Sequence, residues 1–123
     1  QLIAKAAEAE KASLNDSMNM AELMQLGETT YLAHCAACHQ PSGLGLAPVF
    51  PALKGSPMAT TGSITDHIDI VVNGKAGTAM QSFRKQLSLK EIAAVVTYER
   101  NAWGNDTGEL VQSADVKAVS GDE

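Results

Sequence analysis

The segment Cys35-Ala36-Ala37-Cys38-His39 constrains this chain more than any other part of its sequence. Two cysteines separated by two residues and followed at once by histidine form the pattern of a c-type haem attachment site, in which the imidazole binds the iron. The alternative is a redox-active or structural CxxC disulfide, which normally begins a helix in a βαβ context and needs no adjacent histidine. The pattern predicts one covalent haem c, anchored by Cys35 and Cys38, with His39 as an axial ligand.

Composition and charge narrow the remaining possibilities. The chain has 123 residues, 45% of them hydrophobic but only 4% aromatic, so a single domain with a modest core is expected, to which a buried porphyrin would add apolar bulk. Both cysteines belong to the motif, which leaves none for a disulfide framework or a zinc site. The net charge of -5 argues against a nucleic-acid partner. No apolar run approaches the roughly twenty residues that cross a bilayer.

Helix signals without strand alternation predict an all-α domain at residues 19–104. Helices are expected to begin at Asn19, Ser63 and Ser88, because each precedes an acidic residue by three positions, as in a capping box. Residues 1–18 are interpreted as a charged helical linker or tether. Residues 105–123 are interpreted as an acidic tail, extended or mobile. The chain begins with Gln1, which suggests a processed protein or a piece of a longer one.

Residues 20–104 resemble class I cytochrome c. Gly27 and Tyr31 stand before the cysteines at the spacing of that family's N-terminal helix, and Val95 and Tyr98 match the apolar-aromatic pair of its C-terminal helix. The resemblance implies three to five helices around one haem. It also implies that the C-terminal helix crosses Gly27 at close range, because a glycine lets two backbones approach.

The same resemblance implies a residue that orients the proximal histidine. Residues 51–55 resemble the family's P-x-L-x-G loop, in which the carbonyl of the proline, here Pro51, accepts a hydrogen bond from the imidazole. A simple turn is the alternative interpretation, and Pro48 could serve instead.

The sixth iron ligand is expected to be Met80. Residues 73–83 resemble the family's distal loop of the form N-G-x-x-x-x-x-M-P-x-F, although Gln81 replaces the usual proline. A thioether ligand favours ferrous iron and raises the reduction potential. Met58 is the rival ligand, while His34 and His67 are interpreted as ordinary polar or rim residues.

Residues 98–108, 110–116 and 67–75 are most similar to the cytochrome c domain of bacterial cytochrome c oxidase subunit II. That resemblance implies one-electron transfer from an upstream donor to the dinuclear copper centre, in the copper-binding portion of a membrane-anchored parent. It places the domain in the periplasm or on the outer face of the cytoplasmic membrane. The cations Lys75, Arg84 and Lys85 flank Met80 and are expected to surround the point where electrons leave.

Two other functions remain open from the sequence. One is a free-standing periplasmic electron carrier of the same fold. The other is a haem peroxidase or gas sensor, which needs an open or displaceable sixth position. The sequence shows no catalytic acid, base or nucleophile of its own, so an electron-transfer domain rather than an enzyme is expected.

Overall fold

The computed structural model describes residues 17–46, 52–78 and 80–121. These residues contain no β-strand, which confirms the all-α class. Their helices are α1 (Met20–His34), α2 (Ala36–His39), α3 (Pro57–Thr60), α4 (Ile64–Asn73), α5 (Leu89–Asn101) and α6 (Ser113–Ser120), with a 3₁₀ turn at Ala102–Gly104. Within this part of the chain, every helix is too short or too polar to cross a membrane.

The predicted helix starts are confirmed by their capping bonds. The Asn19 side chain accepts a hydrogen bond from the Glu22 backbone N–H at 2.9 Å, and the Glu22 carboxylate accepts one from the Asn19 N–H at 2.9 Å. Ser88 and Glu91 form the same reciprocal pair at the start of α5. Such boxes satisfy backbone donors that a helix leaves without partners at its first turn. The local sequence therefore determines where α1 and α5 begin.

The crossing of α1 and α5 is the most extensive contact between helices. It passes over Gly27, where an added Cβ would lie 2.6 Å from Tyr98 Cβ and would collide with the Ala94 carbonyl oxygen. The close approach at Gly27 is therefore confirmed, with Ala94 as the backbone neighbour. Beside the crossing, Tyr31 and Tyr98 pack with ring centroids 5.5 Å apart.

One hydrophobic core lies between α1, α4 and α5. It contains the attachment cysteine Cys35 and reaches the distal loop through Phe83. The buried members of this core are Tyr31, Cys35, Ile68, Val71, Val72, Phe83, Leu87, Ile92, Ala93, Val95, Val96, Val111 and Val116.

The expectation of an extended tail after residue 104 is wrong for residues 113–120, which form α6 against α5. Val111 and Val116 have no exposed surface, so this segment contributes to the core. The Gln112 side chain exchanges two hydrogen bonds with the Met18 backbone, at 3.1 and 2.9 Å, and joins the two ends of the described chain. The packed unit therefore extends beyond residue 104. The proposed linker 1–18 lies outside the described residues except at 17 and 18.

Two further features concern local structure. The segment 52–62 contains the single helical turn α3, which begins with a Ser56 cap. Helix α5 ends at Asn101, and Trp103 just beyond it has a left-handed backbone with φ of 58°. A tryptophan adopts this conformation only when tertiary contacts stabilise it.

Candidate functional site

The attachment motif is wound into one helical turn directly after α1. The Cys35 N–H donates to the Tyr31 carbonyl at 2.8 Å, which continues α1, and the His39 N–H donates to the Cys35 carbonyl at 3.0 Å. Gln40, with φ of 70°, then ends the turn. The side chains of Cys35, Cys38 and His39 therefore project from a single turn at the C-terminal end of α1.

Both cysteines are free thiols, so the motif is not a disulfide in this structure. Cys35 is buried, and burial raises the pKa of its thiol well above the ordinary value, with a further contribution from the carboxylate of Glu99. Among the described residues, no group of three or more His, Cys, Asp or Glu side chains is placed to hold a metal ion. The turn offers two thiols for covalent attachment.

The loop after Pro51, the residue predicted to orient His39, packs against the chain just after His39. Pro51 and its rival Pro48 both lie outside the described residues. The Leu53 and Lys54 N–H groups both donate to the Gly43 carbonyl, at 2.7 and 2.9 Å. This pairing holds residues 53 and 54 against the chain that follows the attachment turn, and the role of Pro51 itself stays a prediction.

Asn105 holds that loop in place, a role that the sequence interpretation missed. Its side-chain oxygen accepts from the Gly55 N–H at 2.7 Å, and its amide donates to the carbonyls of Leu53 at 3.2 Å and Glu99 at 2.7 Å. The loop is thereby tied to the end of α5. The Asn-Asp pair at 105–106 and the glycines near it are typical of a turn. They do not indicate which distant residues the Asn105 side chain binds.

Trp103 covers the chain that leaves the attachment turn. Its indole N–H donates to the Pro41 carbonyl at 2.9 Å, and its ring lies so close to Gly43 that an added Cβ would stand 2.6 Å from it. The ring also packs edge-on against Tyr31 and Tyr98, with centroids 5.1 and 5.4 Å away. This aromatic cluster links α1 and α5 to the chain at Pro41 and Gly43.

The loop that carries Met80 is held against α4 by backbone bonds. The Lys75 N–H donates to the Met80 carbonyl at 3.1 Å, the Phe83 N–H donates to the Val71 carbonyl at 3.0 Å, and the Ser82 hydroxyl donates to the Val72 carbonyl at 2.6 Å. These bonds restrain the loop although Gln81 replaces the proline of the family pattern. Met80 is partly buried against the core that contains Cys35.

The two histidines outside the motif differ in their surroundings. His34 is exposed, as expected, and its ring meets Phe83 edge-on with centroids 6.3 Å apart. This contact brings the end of α1 to the distal loop. His67 was expected to be a polar or rim residue but is 2% exposed, and its Nε2 lies 2.7 Å from Glu99 Oε1. The helical position of His67 carried no signal of this burial.

The residues present fit a haem. Beyond the thiols, an imidazole and a thioether form the donor set of a low-spin haem iron, which when bound supplies a reversible one-electron couple. Leu44 and Leu46, which follow the attachment turn, are 58% and 62% exposed, so apolar side chains are open there to cover a porphyrin. Cys35 and Cys38 would hold the group covalently, and His39 and Met80 would supply the ligands of its iron.

The cations near Met80 are not equivalent. Arg84 donates to the Ser120 carbonyl and to the Asn73 side chain, both at 2.9 Å, and so joins α4 to α6. Lys75 and Lys85 are exposed. Lys75 and Lys85 are therefore open to solvent beside Met80, while Arg84 has a structural role.

Comparisons with known proteins agree with this geometry. The family described as cytochrome c oxidase, cbb3-type, subunit III matches residues 22–98. A cytochrome c subunit of quinone alcohol dehydrogenase from Gluconacetobacter polyoxogenes is 35% identical over 73% of this chain and 21% of its own length. The gluconate 2-dehydrogenase cytochrome c subunit of Pantoea cypripedii is 33% identical over 80% of this chain and 25% of its own length. Cytochrome c-552 of Thermus thermophilus is 33% identical over 68% and 64%.

The chain thus spans about a fifth of the alcohol dehydrogenase subunit that it matches. These relatives are dehydrogenase cytochrome subunits and a cytochrome c-552, so the comparisons do not support the more specific resemblance to oxidase subunit II. The matched family covers α1, the attachment turn, the Met80 loop and most of α5. This chain belongs to that cytochrome c family, and it is an all-α electron-transfer domain with a covalently bound c-type haem.

Proposed function

We propose that this chain transfers single electrons through a haem c attached to Cys35 and Cys38, with His39 and Met80 as axial ligands. One observation carries the proposal: the attachment turn and the Met80 loop, which are far apart in sequence, meet at the same core. Cys35 is a buried member of that core, and Met80 packs against it. The contact of His34 with Phe83 supports the same arrangement.

The protein's contribution is to hold both ligands in place in either oxidation state. The attachment turn continues α1, while the Met80 loop is bonded to the Val71 and Val72 carbonyls. A ligand set held by such bonds needs little rearrangement when an electron arrives or leaves. A methionine on the sixth position also distinguishes the domain from peroxidases and gas sensors, which require that position to open.

The parent protein is proposed to be a cytochrome subunit of a dehydrogenase, or a free-standing carrier, in the periplasm or on the outer face of the cytoplasmic membrane. The relatives named above support this proposal better than they support an oxidase subunit II whose copper-binding portion accepts the electron. Stopped-flow kinetics decide between these parents. Faster oxidation by a soluble copper-binding fragment of oxidase subunit II than by a cytochrome c-552 would restore the oxidase assignment.

Replacing the sixth ligand tests the proposal directly. Met80→Ala should keep the haem on the chain in a denaturing gel, because the thioether bonds do not depend on the distal ligand. It should lose the six-coordinate low-spin spectrum and the methionine-to-iron charge-transfer band, bind added imidazole, and show a lower reduction potential.

Met58→Ala is the matched control, since Met58 lies on α3 and was the rival ligand. It should keep the low-spin spectrum. If Met58→Ala loses that spectrum and Met80→Ala retains it, the ligand assignment is wrong. If Cys35→Ala and Cys38→Ala together leave the haem covalently bound, the attachment site is wrong.

A further inference from the structure

A buried charged network lies where α5 faces α4. Glu99 is 4% exposed, Arg100 is 1% exposed and His67 is 2% exposed. A carboxylate removed from water is costly unless hydrogen bonds or charges compensate it. The partners of Glu99 therefore indicate whether its charge is neutralised.

The hydrogen-bond pattern assigns the tautomer of His67. Arg100 Nη1 lies 3.3 Å from His67 Nδ1, and because a guanidinium has only donors, Nδ1 must accept. The imidazole proton is then on Nε2, which donates to Glu99 Oε1 at 2.7 Å. His67 is neutral in this arrangement, so it holds the Glu99 carboxylate without cancelling its charge.

The guanidinium of Arg100 forms its ion pair with Glu109 and not with Glu99. Its Nε and Nη2 donate to Glu109 Oε1 at 3.0 and 2.7 Å, and its Nη1 and Nη2 donate to the carbonyls of Met58 and Gly62 at 3.1 and 2.8 Å. Glu109 is thus the direct ion-pair partner of Arg100. Glu99 has no direct contact with a cation among the described residues, and its negative charge is the uncompensated one in the network.

Glu99 lies beside the segment that anchors the haem: the Asn105 amide donates to the Glu99 backbone carbonyl at 2.7 Å and to the Leu53 carbonyl at 3.2 Å, in the loop bonded to Gly43. Glu99 contributes to the raised pKa of both the Cys35 thiol and the Tyr31 phenol. Tyr31 has no exposed surface and lies one helical turn before Cys35, and it packs against Tyr98, the neighbour of Glu99. A charge in this position is little screened by solvent.

We propose that the buried carboxylate of Glu99, held by a hydrogen bond from His67, lowers the reduction potential of the haem through its negative charge. This inference rests on the proposed function, in which Cys35 and Cys38 carry the haem. Reduction removes one positive charge from the iron, so a buried anion nearby stabilises the ferric state and opposes reduction. Unit charges about 10 Å apart at an effective dielectric constant of about 20 change an equilibrium constant roughly tenfold.

Glu99→Gln tests the charge with little change in shape, because the glutamine oxygen can still accept from His67. Spectropotentiometric titration should show a roughly tenfold shift toward ferrous haem, which is about 59 mV for a one-electron couple. Glu28→Gln is the matched control. It makes the same chemical change on α1, but at an exposed carboxylate that contributes to the raised pKa of Tyr98, after burial of that phenol. It should move the potential much less.

His67→Gln separates charge from loss of the network. Its amide can donate to Glu99 and its oxygen can accept from Arg100, so the carboxylate keeps its charge and the potential should stay near that of the wild type. An unchanged potential in Glu99→Gln, or an equal rise in Glu99→Gln and His67→Gln, would overturn the inference. The haem stain and the low-spin spectrum are recorded first, in the wild type and in each variant. Absence of these signals in the wild type would instead contradict the proposed function.

If Glu99→Gln does not fold, redox-difference infrared spectroscopy of the wild type with ¹³C-labelled glutamate gives the answer. A ¹³C-sensitive carboxylate stretching band should shift on reduction, because the charge of the buried Glu99 is little screened by solvent, whereas Glu109 is partly open to solvent. Absence of such a band would refute the assignment of a buried, ionised Glu99 near the haem.

Discussion

The crossing of α1 and α5 depends on the missing side chain at Gly27, and Gly27→Ala should weaken it. The added Cβ would stand 2.6 Å from Tyr98 Cβ and would overlap the Ala94 carbonyl oxygen. Neither atom can rotate away, because both are fixed to the backbone of α5, so the two helices must separate. Overpacking of this kind costs about 3 kcal/mol at its upper range, while alanine gains about 1 kcal/mol in helix propensity. The net expectation is a loss of about 2 kcal/mol in the free energy of unfolding.

Thermal unfolding followed by circular dichroism measures this loss. A decrease of about 2 kcal/mol lowers the melting temperature by roughly 8 °C in a domain of about this size. Thr29→Ala, at an exposed position on the same helix, is the control and should stay within about 0.5 kcal/mol of the wild type. An unchanged or raised melting temperature for Gly27→Ala would refute the close crossing, since helix propensity alone would then decide the outcome.

Three further outcomes are expected. Deleting all residues after Gly108 removes two fully buried valines and should cost about 3–6 kcal/mol, seen as a large fall in melting temperature; full stability of the shortened chain would show that α6 does not support the core. Burial raises the pKa of Tyr31 above its ordinary value of 10.0, so its contribution to stability is complete below pH 10 and declines above it. Melting temperatures from about pH 8 to pH 11 should fall in the wild type and fall less in Tyr31→Phe; parallel curves would contradict this. Exchanging the exposed Lys75 and Lys85 for glutamate should slow electron transfer to an acidic partner at low salt and flatten its salt dependence. An unchanged salt slope would place the contact on another face.

The parts of the fold that were predicted correctly depend on short stretches of sequence. The capping pair of Asn19 and Glu22 determines the start of α1, because donor and acceptor are three residues apart. The attachment motif is equally local, whereas the close crossing at Gly27 was implied by the resemblance to class I cytochrome c. The roles proposed for His39, Met80 and Pro51 remain predictions, and Pro51 lies outside the described residues.

The errors arise where the partner is distant in sequence. The segment after residue 104 has few bulky residues and many acids, yet Val111 lies in the core with no exposed surface, and its N–H donates to the Thr97 hydroxyl at 2.9 Å. His67 has no local signal of burial, because its partner Glu99 lies on another helix. Composition describes how often such residues are exposed, and it does not specify which of them meet.

The sequence by itself determined the cofactor class, the helical architecture and the starts of the main helices, since each depends on residues within about four positions of one another. Only the tertiary structure decided that Asn105 binds Gly55, 50 residues away, in the loop after Pro51, and that the carboxylate of Glu99 is buried. Burial and long-range hydrogen bonds are properties of packed surfaces. They exist only after the helices meet, because the free energy of each polar group depends on which neighbours replace water.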